Sequence, residues 1–329
     1  MIAVIGEALI DFIGHGGTSR SVSFESHIGG CGINTAVAAA KAGSAVGFIC
    51  KISHDLFGQR HLDHLVSNTV MFDPNLCNAA EASLLAFASL DEAGKASYAF
   101  YWENSAPVSL SVAELLQTME EHTDLHVVHI GSLALTLEPI GSVILEALKT
   151  YEPRPIIFLD PNVRPTVIED WEAYRKHIEE AIKLASIIKL SDEDLQLIYP
   201  EVDVHAKAEE LAVNQKKHII LTLGRDGAIW YGPDGTSTAQ PIIDLPLVDT
   251  VGAGDTFSGT ILSYLHDRHF FGKPGQAPHL GEIDPKTRAE ALQWASAAAA
   301  INCSRPGCDP PSREELLTLL ESEEILRVD

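Results

Sequence analysis

An alternation constrains this chain more than any other feature. Apolar runs of strand length are followed, repeatedly, by runs with helical periodicity. IAVIGEALIDF at the N-terminus reads as a buried strand, and INTAVAAAKAG as a helix stopped by Gly43. AVGFICKI is a strand and DLFGQRHLDHLVSN a helix. LHVVHIG, RPIIFLD and SIIKLS are strands, each followed by a helical pattern. HIILTLG is a further strand, and GAIWYG and STAQPII are short edge pieces. Two long helices follow, one after Asp255 and one over about 288–302. Ser111 with Glu114, and Ser312 with Glu315, have the spacing of capping boxes that open helices. This order predicts an α/β fold with a mostly parallel sheet sandwiched by helices. The 329 residues suit one large α/β domain over 1–329.

Two stretches break the alternation. RSVSFESHIGG alternates like a strand, and EASLLAFASLDEAGKASYAFYWEN reads as a hairpin turning at DEAG. They predict a small β-sheet lid, inserted from about 12–30 and 70–108, projecting from the carboxyl edge of the main sheet. An exposed lid strand could pair with the lid of a second copy, which leaves a homodimer open.

The net charge of −23 excludes nucleic acid and anionic membranes as partners. It also requires any phosphate site to supply its own local positive potential. No apolar run approaches the roughly 20 residues that span a bilayer. The N-terminus has no basic segment before its apolar run, so no signal peptide is expected. Five scattered cysteines fit reduced thiols, and a cytoplasmic location is expected. His61 and His64 lie one helical turn apart, and without a third ligand they read as a solvated helix face.

The chemistry concentrates in glycine-rich turns before helices. In DTVGAGDTFSG, Gly252, Ala253 and Gly254 directly precede Asp255. Glycines let backbone N–H groups converge, and a helix N-terminus adds about half a positive charge. The result is an anion hole made without a lysine, with a carboxylate beside it that the dipole would hold ionised. Such a pair suits phosphoryl transfer to an alcohol, although a plain strand-to-helix turn would look the same. GGCGIN is a second such turn. Its Gly29 and Gly30 permit close approach, and Asn34 offers donors and an acceptor to hydroxyls or caps the helix. Asp11 ends the first predicted strand, where open α/β sheets place ligands, so Asp11, Gly30 and Asn34 make a candidate polyol site.

Three further segments follow strands. DPNVRP carries Asn162 and Arg164, whose planar fork suits phosphate or a surface acid. KLSDED carries Lys189, Ser191 and Asp194: the lysine could touch phosphate and the acids hold hydrated magnesium. TLGRDG, with Thr222, Gly224, Asp226 and Gly227, could approach a nucleotide. No GxxxxGK[ST], GxGxxG after the first strand, GxSxG or HExxH occurs, which disfavours a dinucleotide-dependent oxidoreductase.

Taken in order, these segments resemble the ribokinase-like (PfkB) carbohydrate kinases over essentially the whole chain. IGGCGINTAVAAAKAG is similar to that family's N-terminal signature and DTVGAGDTFSG to its C-terminal one. The resemblance implies an ATP-dependent sugar kinase with a β lid over the sugar. It implies Asp255 as the base, the amides of Gly252, Ala253 and Gly254 as the anion hole, and Arg164 on the transferred phosphate. It implies Asp11, Gly29, Gly30, Asn34 and Asn162 for the sugar. The nucleotide would meet Lys189, Ser191, Thr222, Gly224, Asp226, Gly227 and Asn302. Magnesium would be held through water by Asp194. Asp249 and carbonyls near Val251, Asn302 and Arg305 would hold a monovalent cation such as potassium. DPNVRP, IIKLSDEDL and INCSRPGCDPP are similar to the fructokinase versions, which implies D-fructose. Cys31 stands where ribokinases carry a lysine, which argues against ribose. Other acceptors (2-keto-3-deoxygluconate, a nucleoside stacked on Phe100, Tyr101 or Trp102) and a non-catalytic sugar sensor are the alternatives.

Overall fold

A computed structural model describes residues 1–18, 20–90, 96–122, 124–272 and 276–328. Its main sheet has nine strands, β1 (Ile2–Ile5), β4 (Val46–Ile49), β5 (Met71–Phe72), β8 (Val127–Gly131), β9 (Ile156–Asp160), β10 (Ile187–Ser191), β11 (His218–Thr222), β12 (Ala228–Tyr231) and β13 (Ser237–Gln240). The spatial order is β13-β12-β11-β10-β9-β8-β1-β4-β5, parallel except where β12 and β13 close one edge antiparallel. The other four strands, β2 (Leu9–Thr18), β3 (Ser21–Gly29), β6 (Leu84–Leu90) and β7 (Ala96–Tyr101), form a separate sheet in the order β3-β2-β6-β7. The expected α/β sandwich with a small β-sheet is therefore present. The DEAG turn of the 81–104 hairpin lies outside the described residues.

The helices are α1 (Cys31–Lys41), α2 (Leu56–Ser67), α3 (Val112–Glu121), α4 (Ser132–Thr136), α5 (Ile140–Thr150), α6 (Trp171–Leu184), α7 (Asp192–Ile198), α8 (Val204–Gln215), α9 (Ala253–Asp267), α10 (Pro285–Cys303) and α11 (Arg313–Val328). The central strands are buried on both faces, which is why their sequences are apolar without alternation. On one face, Ile33, Val37, Phe257, Ile261, Leu262 and Leu292 of α1, α9 and α10 pack against Val4, Phe48 and Phe158. On the other, Leu115, Ile144, Ile178, Leu195 and Leu211 pack against Ile5, Ile130 and Leu159. Both expected capping boxes form, at Ser111–Glu114 and Ser312–Glu315.

Three boundaries differ from the sequence reading. The N-terminal apolar run is two strands: β1 belongs to the main sheet, and Gly6, Glu7 and Ala8 carry the chain across to β2 of the lid. Asp11 is thus inside a lid strand and does not end the first main-sheet strand. An unbroken apolar run conceals a change of sheet, because both strands are buried. The lid strands span 9–29 and 84–101, while Met71–Phe72 pairs with β4 at the edge of the main sheet. Finally, His61 is buried, its Nε2 3.0 Å from the Leu9 carbonyl oxygen, rather than lying on a solvated face.

The crossing at Gly6 fixes how the lid leaves the sheet. A β-carbon at Gly6 would lie 2.6 Å from Gly32 Cα, and one at Gly32 would lie 2.7 Å from Gly6 Cα. Backbone meets backbone here, so no side chain can yield. Gly32→Ala is expected to cost roughly 1–3 kcal/mol, the usual range for overpacking. Urea unfolding measures this, and an unchanged midpoint would show that α1 can move off β1 freely.

Candidate active site

The candidate site lies where the carboxyl ends of the main strands face the lid, and it is built around the start of α9. Gly252 is the N-cap, with φ 72°, and a β-carbon there would collide with Cys308 Sγ at 2.2 Å. Only glycine satisfies both constraints. The amides of Gly252 and Gly254 find no acceptor among the described residues, whereas that of Ala253 donates to the Thr250 carbonyl at 3.2 Å. The free donors of a helix N-terminus therefore point into this site.

Asp255 is the third residue of α9 and is 8% exposed. Asn34, on the first turn of α1, donates from Nδ2 to Asp255 Oδ2 at 2.8 Å. Asn34 is therefore a partner of Asp255, not a cap. The expectation that the helix dipole holds Asp255 ionised is overridden. Burial pushes its proton affinity up, aided by Asp160, and outweighs Asn34, Cys31 and Arg164, which favour the carboxylate.

The lid supplies the opposite wall. Asp11 on β2 pairs with His27 on β3, and its carboxylate occupies the space a β-carbon at Gly29 would take, 2.1 Å from Oδ2. Burial raises Asp11 to about 6, against the pull of His27 and Arg164 and with a push from Asp255. The charges of Arg164 and Asp255 are thus both felt at Asp11. Strand register places Ile13, Tyr98 and Phe100 on the Asp11 face of the lid. Tyr101 lies on the other face, edge-on to Phe87 at 5.5 Å, so it does not line the pocket. Gly30, with φ 110°, ends the lid and caps α1, where a β-carbon would meet the Glu7 carbonyl oxygen at 2.6 Å.

Behind the anion hole lies a buried ion pair that the sequence reading did not assemble. Lys189 Nζ bonds both oxygens of Asp160, at 3.0 and 3.3 Å, and Ser258 on α9 donates to Asp160 Oδ2 at 2.8 Å. A β-carbon at Gly254 would lie 3.1 Å from that ammonium. Burial would lower the Lys189 value, but Asp160 and Asp194 outweigh it and keep the charge. Lys189 therefore stands beneath the hole, tied to Asp160.

Ser191 and Asp194 form the capping box of α7. Asp194 accepts from the Val163 amide at 2.8 Å and the Ser191 amide at 3.1 Å. Its first task is to hold the 160–164 loop. That loop carries Asn162, in the left-handed region at φ 41°, and the half-buried Arg164. In the segment expected to meet a nucleotide, Thr222 bonds the Leu190 carbonyl, Asp226 is exposed, and Gly224 at φ 55° faces open space. Gly227 instead is buried, a β-carbon there meeting the Gln240 carbonyl at 2.2 Å, so it serves the β12–β13 pairing.

The 249–251 and 302–309 segments are clipped together. Asp249 accepts from Val251 N and Gly307 N, at 3.0 and 2.8 Å. Asn302, with no exposed surface, donates to the Val251 carbonyl and accepts from Asp309 N. Asn302 is therefore a structural clip, not a nucleotide contact. Arg305 pairs with Asp309 and Glu315, and its amide donates to the Asn302 carbonyl. Glu7 is the other residue missed. It is a buried carboxylate in an apolar run, and that incongruity is the signal that could have found it.

The chain was compared with known proteins. The model of the pfkB family carbohydrate kinases matches residues 1–315. A fructokinase of Rhizobium leguminosarum bv. trifolii is 33% identical over 265 residues, covering 80% of this chain and 79% of that protein. Fructokinase-1 of Oryza sativa subsp. japonica is 31% identical over 332 residues, covering 98% of each. Among solved structures, the fructokinase of Xylella fastidiosa with bound ATP superposes with a TM-score of 0.84 at 24% identity, covering 98% of this chain and 99% of that one. No helix among the described residues is long and apolar enough to cross a membrane. A buried carboxylate beside free helix N-terminal amides is what phosphoryl transfer to an alcohol requires, and this chain belongs to the pfkB family of carbohydrate kinases.

Proposed function

We propose that this kinase transfers the γ-phosphoryl group of ATP to a primary hydroxyl of D-fructose. One observation carries the reading: Asp255, held by Asn34, lies at the start of α9 beside the free amides of Gly252 and Gly254. Curated relatives at 33% and 31% identity carry the name fructokinase, which favours this acceptor. Two carboxylates, Asp11 and Asp255, face the acceptor side, which suits a neutral polyol and repels an acid sugar.

The sugar lies between lid and sheet edge, with Asp11, Asn34 and Asn162 about it and Gly29 and Gly30 giving it room. Asp255 takes the proton of the attacking hydroxyl as its oxygen forms a bond to phosphorus and the bond to ADP breaks. The amides of Gly252 and Gly254, with Arg164, stabilise charge on the transferring group. The nucleotide fits the open backbone at Gly224 and the Thr222 to Asp226 turn. Magnesium arriving with ATP supplies charge neutralisation on the phosphates, and Asp194 is the carboxylate that could hold its water. Oxygens proposed for a monovalent cation, on Asp249, Val251 and Asn302, already accept protein N–H groups. No step here runs through that ion.

The Tyr98–Phe100 stack on the inner lid face, 5.9 Å between ring centres, favours a second reading in which the acceptor is a nucleoside. An ADP-release assay with MgATP over fructose, ribose, 2-keto-3-deoxygluconate, adenosine and mannose separates the two. Selective turnover of fructose is expected; preference for adenosine would transfer the role to the stack.

Asp255→Asn is expected to bind sugar normally and to lose about 10²- to 10⁴-fold in kcat, the usual worth of a general base. Arg164→Ala is expected to lose a similar factor. Wild-type turnover in either variant removes that residue from its role. The raised proton affinity of Asp255 sets an acid limb in kcat above the ordinary Asp range of about 3.9. The base is lost as pH falls through the raised value. Asn34→Ala removes a bond to the carboxylate and moves the limb to still higher pH. A limb at ordinary carboxylate pH in both proteins would show that another group is the base.

A further inference from the structure

Glu7 lies at the crossing from β1 to β2 and is 2% exposed. Among the described residues, no lysine, arginine or histidine forms an ion pair with it. Its carboxylate instead joins two helix N-termini. Oε1 accepts from the amide of Cys31, the first residue of α1, at 2.8 Å. Oε2 accepts from the amide of Ala134 in α4, at 3.1 Å. The titratable groups that face it are Cys31, Cys50 and Asp255.

Each contact leads to one half of the catalytic site. Through α1 it leads to Asn34, which holds Asp255. Through α4 it leads to Ser132, whose amide donates to the Pro161 carbonyl at 3.1 Å and so fixes the loop that carries Arg164. Gly131 and Asp160 are in such close contact that a β-carbon at Gly131 would lie 1.8 Å from the Asp160 carbonyl oxygen, which makes that link stiff. We infer that Glu7 is a positioning residue: its ionised carboxylate holds α1 and α4 at the spacing that sets Asp255 against Arg164. The inference rests on Asp255 acting as the base.

A carboxylate can accept from both amides at once. Once protonated, one oxygen becomes a hydroxyl facing an N–H, and one arm of the clamp is lost. Burial raises Glu7 to about 7. The carboxylate therefore forms as pH rises through neutrality, and kcat rises with it. Titration of Glu7 is told from that of Asp255 by substitution: it is absent from Glu7→Gln and remains in Asn34→Ala.

The test compares kcat against pH for wild type, Glu7→Gln and Glu7→Asp, with thermal melting to fix the folded fraction. Glu7→Gln is expected to lower kcat on the order of 10- to 100-fold, as a misplacement near 1 Å does. It should leave the KM for ATP unchanged and abolish the step near neutrality. Glu7→Asp keeps a titrating group with shorter reach, so kcat should fall while a step remains. Wild-type kcat in Glu7→Gln, or a step that persists in it, overturns the inference. If Glu7→Gln fails to fold, full turnover by Glu7→Asp overturns it, and reduced turnover with a retained step supports it. Absence of turnover in the wild type would strike the kinase reading on which this inference rests.

Discussion

A 2.8 Å hydrogen bond from Asn34 to Asp255 joins the first turns of two helices whose bonded residues are 221 positions apart. The rest of the site depends on that closure. It requires α1 and α9 to lie almost in backbone contact. Gly259 permits this, since a β-carbon there would come within 2.7 Å of the Thr35 carbonyl and 2.8 Å of Ala39 N. The small residues of INTAVAAAKAG serve the same approach. Both signature stretches are therefore packing surfaces as much as binding loops. Their glycines let two helix N-termini converge on one carboxylate, and the convergence makes that carboxylate buried and oriented.

An acidic protein that handles phosphate must produce positive potential locally. Here it arises from three sources set close together: the open end of α9, Arg164, and Lys189 beneath Gly254. The lysine alone would be costly to bury, so Asp160 neutralises it and Ser258 completes the carboxylate's bonding. The trio rivets β9, β10 and α9 together at the level of the anion hole. Its worth to the chemistry lies in rigidity, because preorganised amides stabilise developing charge without having to move.

The mostly parallel sheet and most of its strands and helices were legible because buried parallel strands and amphipathic helices write distinct periods. Asn34 and Arg164 stood out in the sequence because each follows a strand in a turn rich in glycine or proline, and Asp255 because three small residues precede it at a helix start. What stayed hidden were matters of long-range pairing. Nothing local says that Asp160 and Lys189, on neighbouring strands, bond each other, or that Asn302 is buried to clip Val251. The break between β1 and β2 was hidden because both halves are apolar, and Glu7 was read through as part of a strand. In sequence, the turn glycine Gly227 looks the same whether its missing side chain makes room for a ligand or for the Gln240 carbonyl.

The burial that orients Asp255 also weakens its hold on the ionised state. On the proposed reading Asp255 must be deprotonated at working pH, yet strong enough to take a proton from an alcohol, and a raised proton affinity adds to that strength. Desolvation supplies the rise and Asp160 adds to it, while Asn34, Cys31 and Arg164 limit it. The same logic extends to Asp11, raised by burial and restrained by His27 and Arg164. Arg164 is common to both balances. Its guanidinium has no carboxylate partner at ion-pair distance among the described residues, and its only hydrogen bond there is to the neighbouring Val163 carbonyl at 3.4 Å. A cation held by no single acid, yet felt by two, is free to meet a third anion. On the proposed reading, that anion is the phosphate arriving between lid and α9.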